Sequence, residues 1–269
     1  MRAISFLSDY GHRDEWVGVC HGVIQRIAPG ATVLDIAHDL PPTNVPHAAF
    51  VLENATPFLP AGVLLAVVDP GVGGGRRAVA LRSRSGRLLV GPDNGVLWPA
   101  ARLAGGVEAA VDLEQSPFRL DPVSATFHGR DVFAPVAARL ALGAALEDAG
   151  APIDAAQLTQ LDAAGPEVSE GSVRATVRLA DRFGNLQLQM RPADMQAAGI
   201  DPGAPVAVTG SAESARGVYG HTFGDAPAGM PVVYRDSSGW IAVALNGASA
   251  AQALAARTGT SLTVSRCDP

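Results

Sequence analysis

Two hydrophobic periods alternate along the first seventy positions of the chain. Short apolar runs with little polar interruption cover residues 3–8, 32–37 and 63–68, as expected for strands buried on both faces. Between them, Val19, Val23 and Ile27 recur at helical spacing in a segment that stops at Pro29-Gly30, with Asp14 placed to cap its start, and a second helical pattern runs over 45–57. Strand, helix, strand, helix, strand is α/β organisation. Farther on, residues 77–83 and 87–91 read as a hairpin, 96–103 as a short helix, 107–113 as a strand and 131–146 as an alanine-rich helix. The sheet is therefore expected to be mixed but largely parallel.

Residues 147–172 lose both periods and are rich in Ala, Gly, Pro and acids, the composition of a surface connection. Beyond them, short β-rich runs at 173–179, 186–190, 206–209, 232–234, 241–245 and 262–264 are separated by turn clusters. That spacing predicts a smaller β-barrel-like or sandwich domain. The expected division is an N-terminal α/β domain over 1–160, a linker over 161–172 and a C-terminal β domain over 173–269.

Composition narrows the function classes. With 269 residues, 48% hydrophobic, the chain can bury a substantial core, and a net charge of −6 argues against a nucleic-acid partner. The apolar run near the start is too brief for a signal sequence or a spanning helix, so no membrane association and a cytoplasmic location are expected. Cys20 and Cys267 are too far apart in sequence to suggest a thiolate metal site or a disulfide framework. All twenty basic residues are arginine. Without lysine, Schiff-base chemistry and the lysine-bearing phosphate loops are excluded.

Chemistry concentrates where strands end. The run 63–68 delivers Asp69 into Asp69-Pro70-Gly71-Val72-Gly73-Gly74-Gly75-Arg76, where proline ends the ladder and glycines permit close backbone approach before the guanidinium. Alone, Asp69 and Arg76 read equally well as a structural ion pair or as catalytic groups. Asp9, in Ser8-Asp9-Tyr10-Gly11, ends the first strand, where a carboxylate can accept from ribose hydroxyls; a turn or cap is the simpler reading. Asp14, His38 and Asp39 offer hard-metal donors beside Asp9, although scattered residues of this kind are usually caps and surface groups, and no metal is expected. Thr126-Phe127-His128-Gly129-Arg130-Asp131 combines a titratable imidazole, a ring able to stack on a base and an acid able to cap the next helix. Gly91-Pro92-Asp93-Asn94-Gly95 reads as a turn, as do Asp181-Arg182-Phe183-Gly184-Asn185, Thr222-Phe223-Gly224-Asp225 and Ser237-Ser238-Gly239 in the second half.

The order of these motifs over nearly the whole chain resembles the S-adenosylmethionine (SAM) hydrolase, or SAM hydroxide adenosyltransferase, family, whose relatives include fluorinases and chlorinases. The resemblance implies hydrolysis of SAM to adenosine and methionine by attack of water or hydroxide at ribose C5′, without cofactor or metal. It implies a catalytic triad of Asp69, Arg76 and His128, and ribose binding by Asp9. It further implies substrate contacts from Asn94, Phe127, Gly129, Asp181, Phe183, Asn185, Phe223, Ser237 and Ser238, with Phe127 and Phe223 flanking the adenine. A homotrimer is implied too, each site lying between one subunit's α/β domain and its neighbour's β domain. Halogenating relatives carry tyrosine where Asp69 stands, and fluorinases carry serine where Gly129 stands, so both positions resemble the hydrolase branch. Gly74, Asp236 and Ala242 depart from the family's usual threonine, asparagine and glutamate. A halide-using transferase and a non-catalytic SAM or adenosine binder are the competing readings.

Overall fold

The computed structural model describes residues 2–210 and 213–268, which divide into two compact units, Met1–Asp162 and Ala163–Pro269. The first is built on seven strands: β1 (Ala3–Ser8), β2 (Val33–Ala37), β3 (Gly62–Val67), β4 (Ala78–Ser83), β5 (Leu88–Pro92), β6 (Val107–Asp112) and β7 (Ala151–Ile153). They lie in the order β2-β1-β3-β5-β4-β6-β7. Neighbours from β2 to β5 pair in parallel, whereas β4, β6 and β7 join by antiparallel ladders. Four helices cover the sheet: α1 (Trp16–Ile27), α2 (Val45–Ala55), α3 (Trp98–Leu103) and α4 (Ala134–Ala141).

β3 shows why its sequence is apolar throughout. Its odd members Val63, Leu65 and Val67 pack into the core shared with α1 and α4, and its even members Leu64 and Ala66 into the core shared with α2 and α3. With helices on both faces, period-two alternation puts every side chain in a core. The chain leaves β1 toward β2 on one side and returns to β3 on the other, so the carboxyl ends of β1 and β3 adjoin at a switch in strand order. Open α/β sheets present crevices at such points.

Several local expectations are corrected. α1 follows Glu15 rather than Asp14, and no side chain caps it. The long helix expected over 131–146 is a wide π-type turn, Gly129–Phe133, followed by α4. Asp131 caps nothing: it is buried, accepts the Ser124 N–H at 2.9 Å and pairs with Arg130, so it clamps the loop before the helix. The stretch expected to be a plain connection contains β7, an edge strand, and β8 (Glu167–Ser169). Three-residue strands carry too little periodicity to register in a sequence.

The second unit is a closed barrel. β9 (Ser172–Ala180), β10 (Leu186–Leu188), β11 (Pro205–Thr209), β12 (Ser214–Tyr219), β13 (Pro231–Arg235), β14 (Ile241–Leu245) and β15 (Ser261–Arg266) form a ring sealed by the pairing of β10 with β9, and β8 extends β9 outside it. Short helices α5 (Pro192–Ala197) and α6 (Ala250–Ala253) pack against it. β12 escaped the sequence reading because Arg216 and Gly217 break its apolar run, yet closure requires it: it bridges β11 by an antiparallel and β13 by a parallel ladder. Trp240 is met by the guanidiniums of Arg178, 3.6 Å from its ring centre, and Arg191, at 3.2 Å. Both contacts are cation–π attractions. Together, an α/β unit with a mixed sheet and a seven-stranded barrel match the expected fold class. Among the described residues, no helix is long and apolar enough to cross a membrane.

Candidate active site

At the β1–β3 crevice, Asp69 lies one residue beyond the end of β3, after Val68, and meets Arg76 across the glycine turn. Arg76 Nε donates to Asp69 Oδ1 at 2.7 Å, and Nη2 donates to Oδ2, a two-pronged pairing that fixes both groups. The pair is nearly buried, with 7% of the Asp69 side chain and 11% of Arg76 exposed. The same Nη2 lies 3.0 Å from His128 Nδ1, and the guanidinium rests 5.3 Å from the centre of the Phe133 ring. Thus the three residues form a line with the arginine at its centre.

Arginine has no acceptor, so His128 Nδ1 must accept, leaving the proton of a neutral imidazole on Nε2. Burial, and then the positive charge of Arg76, lower the His128 pKa from its ordinary 6.5, against weaker opposing effects of Asp69 and Asp131. Two glycines permit the assembly. Gly73 has φ +72°, and a side chain there would strike the Ala125 carbonyl, so the turn after Asp69 can close onto the segment leading to His128 only with glycine. At Gly129 a β-carbon would strike the hydroxyl of Tyr10. Tyr10 gives no sequence signal for a role; its phenol is held protonated, mainly by burial and also by the nearby carboxylates of Asp69 and Asp9, against the charge of Arg76.

Asp9, Tyr10, Thr43, Asp69, Thr126, His128 and Gly129 share a cavity of about 90 Å³. Asp9 Oδ2 accepts the Thr43 N–H at 2.8 Å, and Thr43 adopts φ 63°, a rare conformation for a β-branched residue. Thr43 gives no sequence signal, because its role depends on its amide. Two expected substrate contacts are placed differently. Asn94 spends its amide on the backbone, donating to the Val68 carbonyl at 2.8 Å and accepting from the Val96 N–H at 3.2 Å, and so braces the residue before Asp69. Phe127 is only 7% exposed and sits edge-on to Tyr10 and Trp16, a packed ring rather than a presented one.

In the barrel unit, Asp181, Phe183, Asn185, Phe223 and Ser237 line one cleft of about 1010 Å³, together with His221, Tyr234, Arg235 and Asn246. Asp181 accepts from the backbone N–H groups of Phe183 and Asn185 at 2.9 Å and from the Asn185 amide at 2.8 Å, which shapes the β9–β10 turn. The rings of Phe183 and Phe223 are 67% and 50% exposed, and Phe223 meets Tyr234 edge-on at 5.1 Å. Such rings offer planar apolar surface to a base or thioether. Ser238 does not line the cleft: its N–H donates to Asp236 and its carbonyl accepts from Arg191.

Comparison with known proteins supports one family. Residues 4–150 match the SAM hydroxide adenosyltransferase N-terminal domain, and residues 175–263 match its C-terminal domain. The chain is 47% identical to an (R)-S-adenosyl-L-methionine hydrolase of Salinispora arenicola, covering 97% of each, and 43% identical to one of Thermus thermophilus, covering 96% of this chain and 98% of the relative. A fluorinase of Actinopolyspora mzabensis is 28% identical over 98% of this chain and 97% of its own. A solved structure of an uncharacterized conserved protein from Thermotoga maritima superposes with a TM-score of 0.91 at 34% identity, covering 98% of this chain and all of the other. On both domain matches, the chain belongs to the SAM hydroxide adenosyltransferase family.

Proposed function

We propose that this protein hydrolyses S-adenosyl-L-methionine, in the (R)-sulfonium form named for its relatives, to adenosine and L-methionine. The observation that carries the proposal is that Asp69 and His128, joined through Arg76, open into the same cavity as Asp9. A water oxygen attacks ribose C5′ as the C5′–S bond breaks; the bonding pair leaves with neutral methionine sulfur, and the water proton is released. Sulfonium is a good leaving group, so no acid is needed on the departing side. What the site must supply is alignment and stabilisation of developing hydroxide.

The geometry supports a division of labour. Asp69, with a reference carboxylate pKa of ~3.9, is too weak a base to deprotonate water unaided. Held on two points by Arg76, its remaining lone pairs orient the water. Arg76, and His128 through Nε2–H, supply donors toward the oxyanion, while Asp9 accepts from the ribose hydroxyls. The positive sulfonium adds attraction for the nucleophile. This chemistry asks for no cofactor. On the barrel unit, the exposed Phe183 and Phe223 rings with Asp181, Asn185 and Ser237 suit the adenine or methionine end. We propose a homotrimer in which those groups come to each catalytic cluster from a neighbouring copy, in the cytoplasm.

Incubation of purified protein with each sulfonium epimer of SAM in oxygen-18 water tests the reaction. Labelled adenosine with methionine from the (R) form is expected. Unlabelled adenosine, or none despite saturable binding, would sink the proposal, and 5′-chloro-5′-deoxyadenosine on adding chloride would favour a halide transferase, against which Asp69 argues. His128→Ala is expected to lower kcat by roughly 10²–10³-fold with little change in KM, whereas Asp9→Ala raises KM.

A further inference from the structure

A second cluster of donors lies in the α/β unit away from the Asp69 line. His21 on α1, Asp35 on β2 and His38 just after β2 bring their ligand atoms within 4.8 Å of one another, the one such group of three among the described residues. Both imidazoles turn Nε2 to the same carboxylate oxygen: His21 Nε2 is 2.8 Å and His38 Nε2 3.0 Å from Asp35 Oδ1. For His21 the contact is a hydrogen bond. The His38 nitrogen reaches the same oxygen but is poorly aligned with it, which leaves it without a well-formed hydrogen bond. The His38 side chain is 0% exposed. A buried ring nitrogen without a well-formed hydrogen bond is costly in a folded protein.

On the other side of that ring, Nδ1 lies 2.7 Å from Ser8 Oγ, at the end of β1. When the ring donates Nδ1–H to Ser8 Oγ, the contact orients the imidazole and leaves the Nε2 lone pair for a cation. Two imidazole nitrogens and one carboxylate oxygen form a set that suits a borderline divalent cation such as zinc, with an open position for water, better than the oxygen-only shells of magnesium or calcium. Ligands ~2.1 Å from a tetrahedral zinc stand about 3.4 Å apart. The two nitrogen–oxygen separations are slightly shorter, and the half-exposed His21 and Asp35 have room to open.

We infer that His21, Asp35 and His38 form a binding site for a divalent transition cation of the zinc class, separate from the proposed catalytic residues. The ion would tie α1 to β2 and to the segment after it. It would also brace the Asp9 turn, because the His38 carbonyl accepts the Gly11 N–H at 2.8 Å.

Chelator-treated full-length protein titrated with cobalt(II), as a spectroscopic probe, should develop visible ligand-field absorption saturating at one equivalent per chain, bleached by zinc. Zinc should also raise the thermal midpoint, as any ligand of the native state does. His21→Ala removes a partly exposed side chain and should weaken both responses at least tenfold while leaving the far-ultraviolet circular dichroism unchanged. Asp35→Asn supplies the same test if His21→Ala misfolds. Absence of stoichiometric cobalt binding would overturn the inference and leave a hydrogen-bonded histidine–aspartate clip. Equal affinity in wild type and either folded variant would overturn it too.

Discussion

Arg76 is the residue through which the proposed catalytic groups communicate. Its guanidinium holds Asp69 on two points and forces His128 to accept, so protonation of His128 would set two donors against each other. Because burial and Arg76 lower the His128 pKa, the neutral ring persists until pH falls below the ordinary 6.5. The kcat/KM profile should therefore be flat near neutrality and lose activity only below 6.5; an acid limb centred above that value would contradict the assignment. Gly129 offers a second residue-level test. Serine there would place its β-carbon against the Tyr10 hydroxyl. Overpacking of this kind costs about 1–3 kcal/mol. Gly129→Ser should lose that much in urea unfolding, and a smaller loss in a Tyr10→Phe background would reveal the coupling.

Among the elements, β3 and the turn after it do most to place the chemistry. Burial on both faces fixes the strand, and Asn94 pins its end through the Val68 carbonyl, so Asp69 emerges at one defined point. Gly73 then lets the turn close onto Ala125. Gly73→Ala is expected to cost ~2 kcal/mol in stability from its left-handed backbone alone, and to reduce turnover by shifting the segment that carries His128; unchanged kcat would show that this closure does not position the site. The same elements mark where local patterns misled. Asp131 has the chemistry of a cap and Phe127 that of a stacking ring, but long-range partners, the Ser124 amide in one case and Tyr10 and Trp16 in the other, recruit them into packing.

At the scale of the whole molecule, the candidate groups fall into two sets, one at the β1–β3 crevice and one in the barrel cleft. If neighbouring copies of a trimer combine them, mixing an inactive His128→Ala protein with an inactive Phe223→Ala protein under subunit exchange should restore part of the activity, because some sites receive both intact sets. Sedimentation should give a trimer for each parent. No recovery with exchanged subunits would place each complete site within one chain.

By itself, the sequence determined the strand–helix alternation, the glycine turn after Asp69 and the ordered motifs that led to the family, because periodicity and backbone permissiveness are local properties. It also exposed the chemistry available at each strand end. Only the tertiary structure decided which of those groups meet. Arg76 joins His128 across fifty-two positions, Tyr10 occupies the space beside Gly129, Thr43 supplies an amide to Asp9, and His21 finds Asp35 and His38. These contacts depend on the order of strands and the approach of loops distant in sequence, which no local pattern encodes.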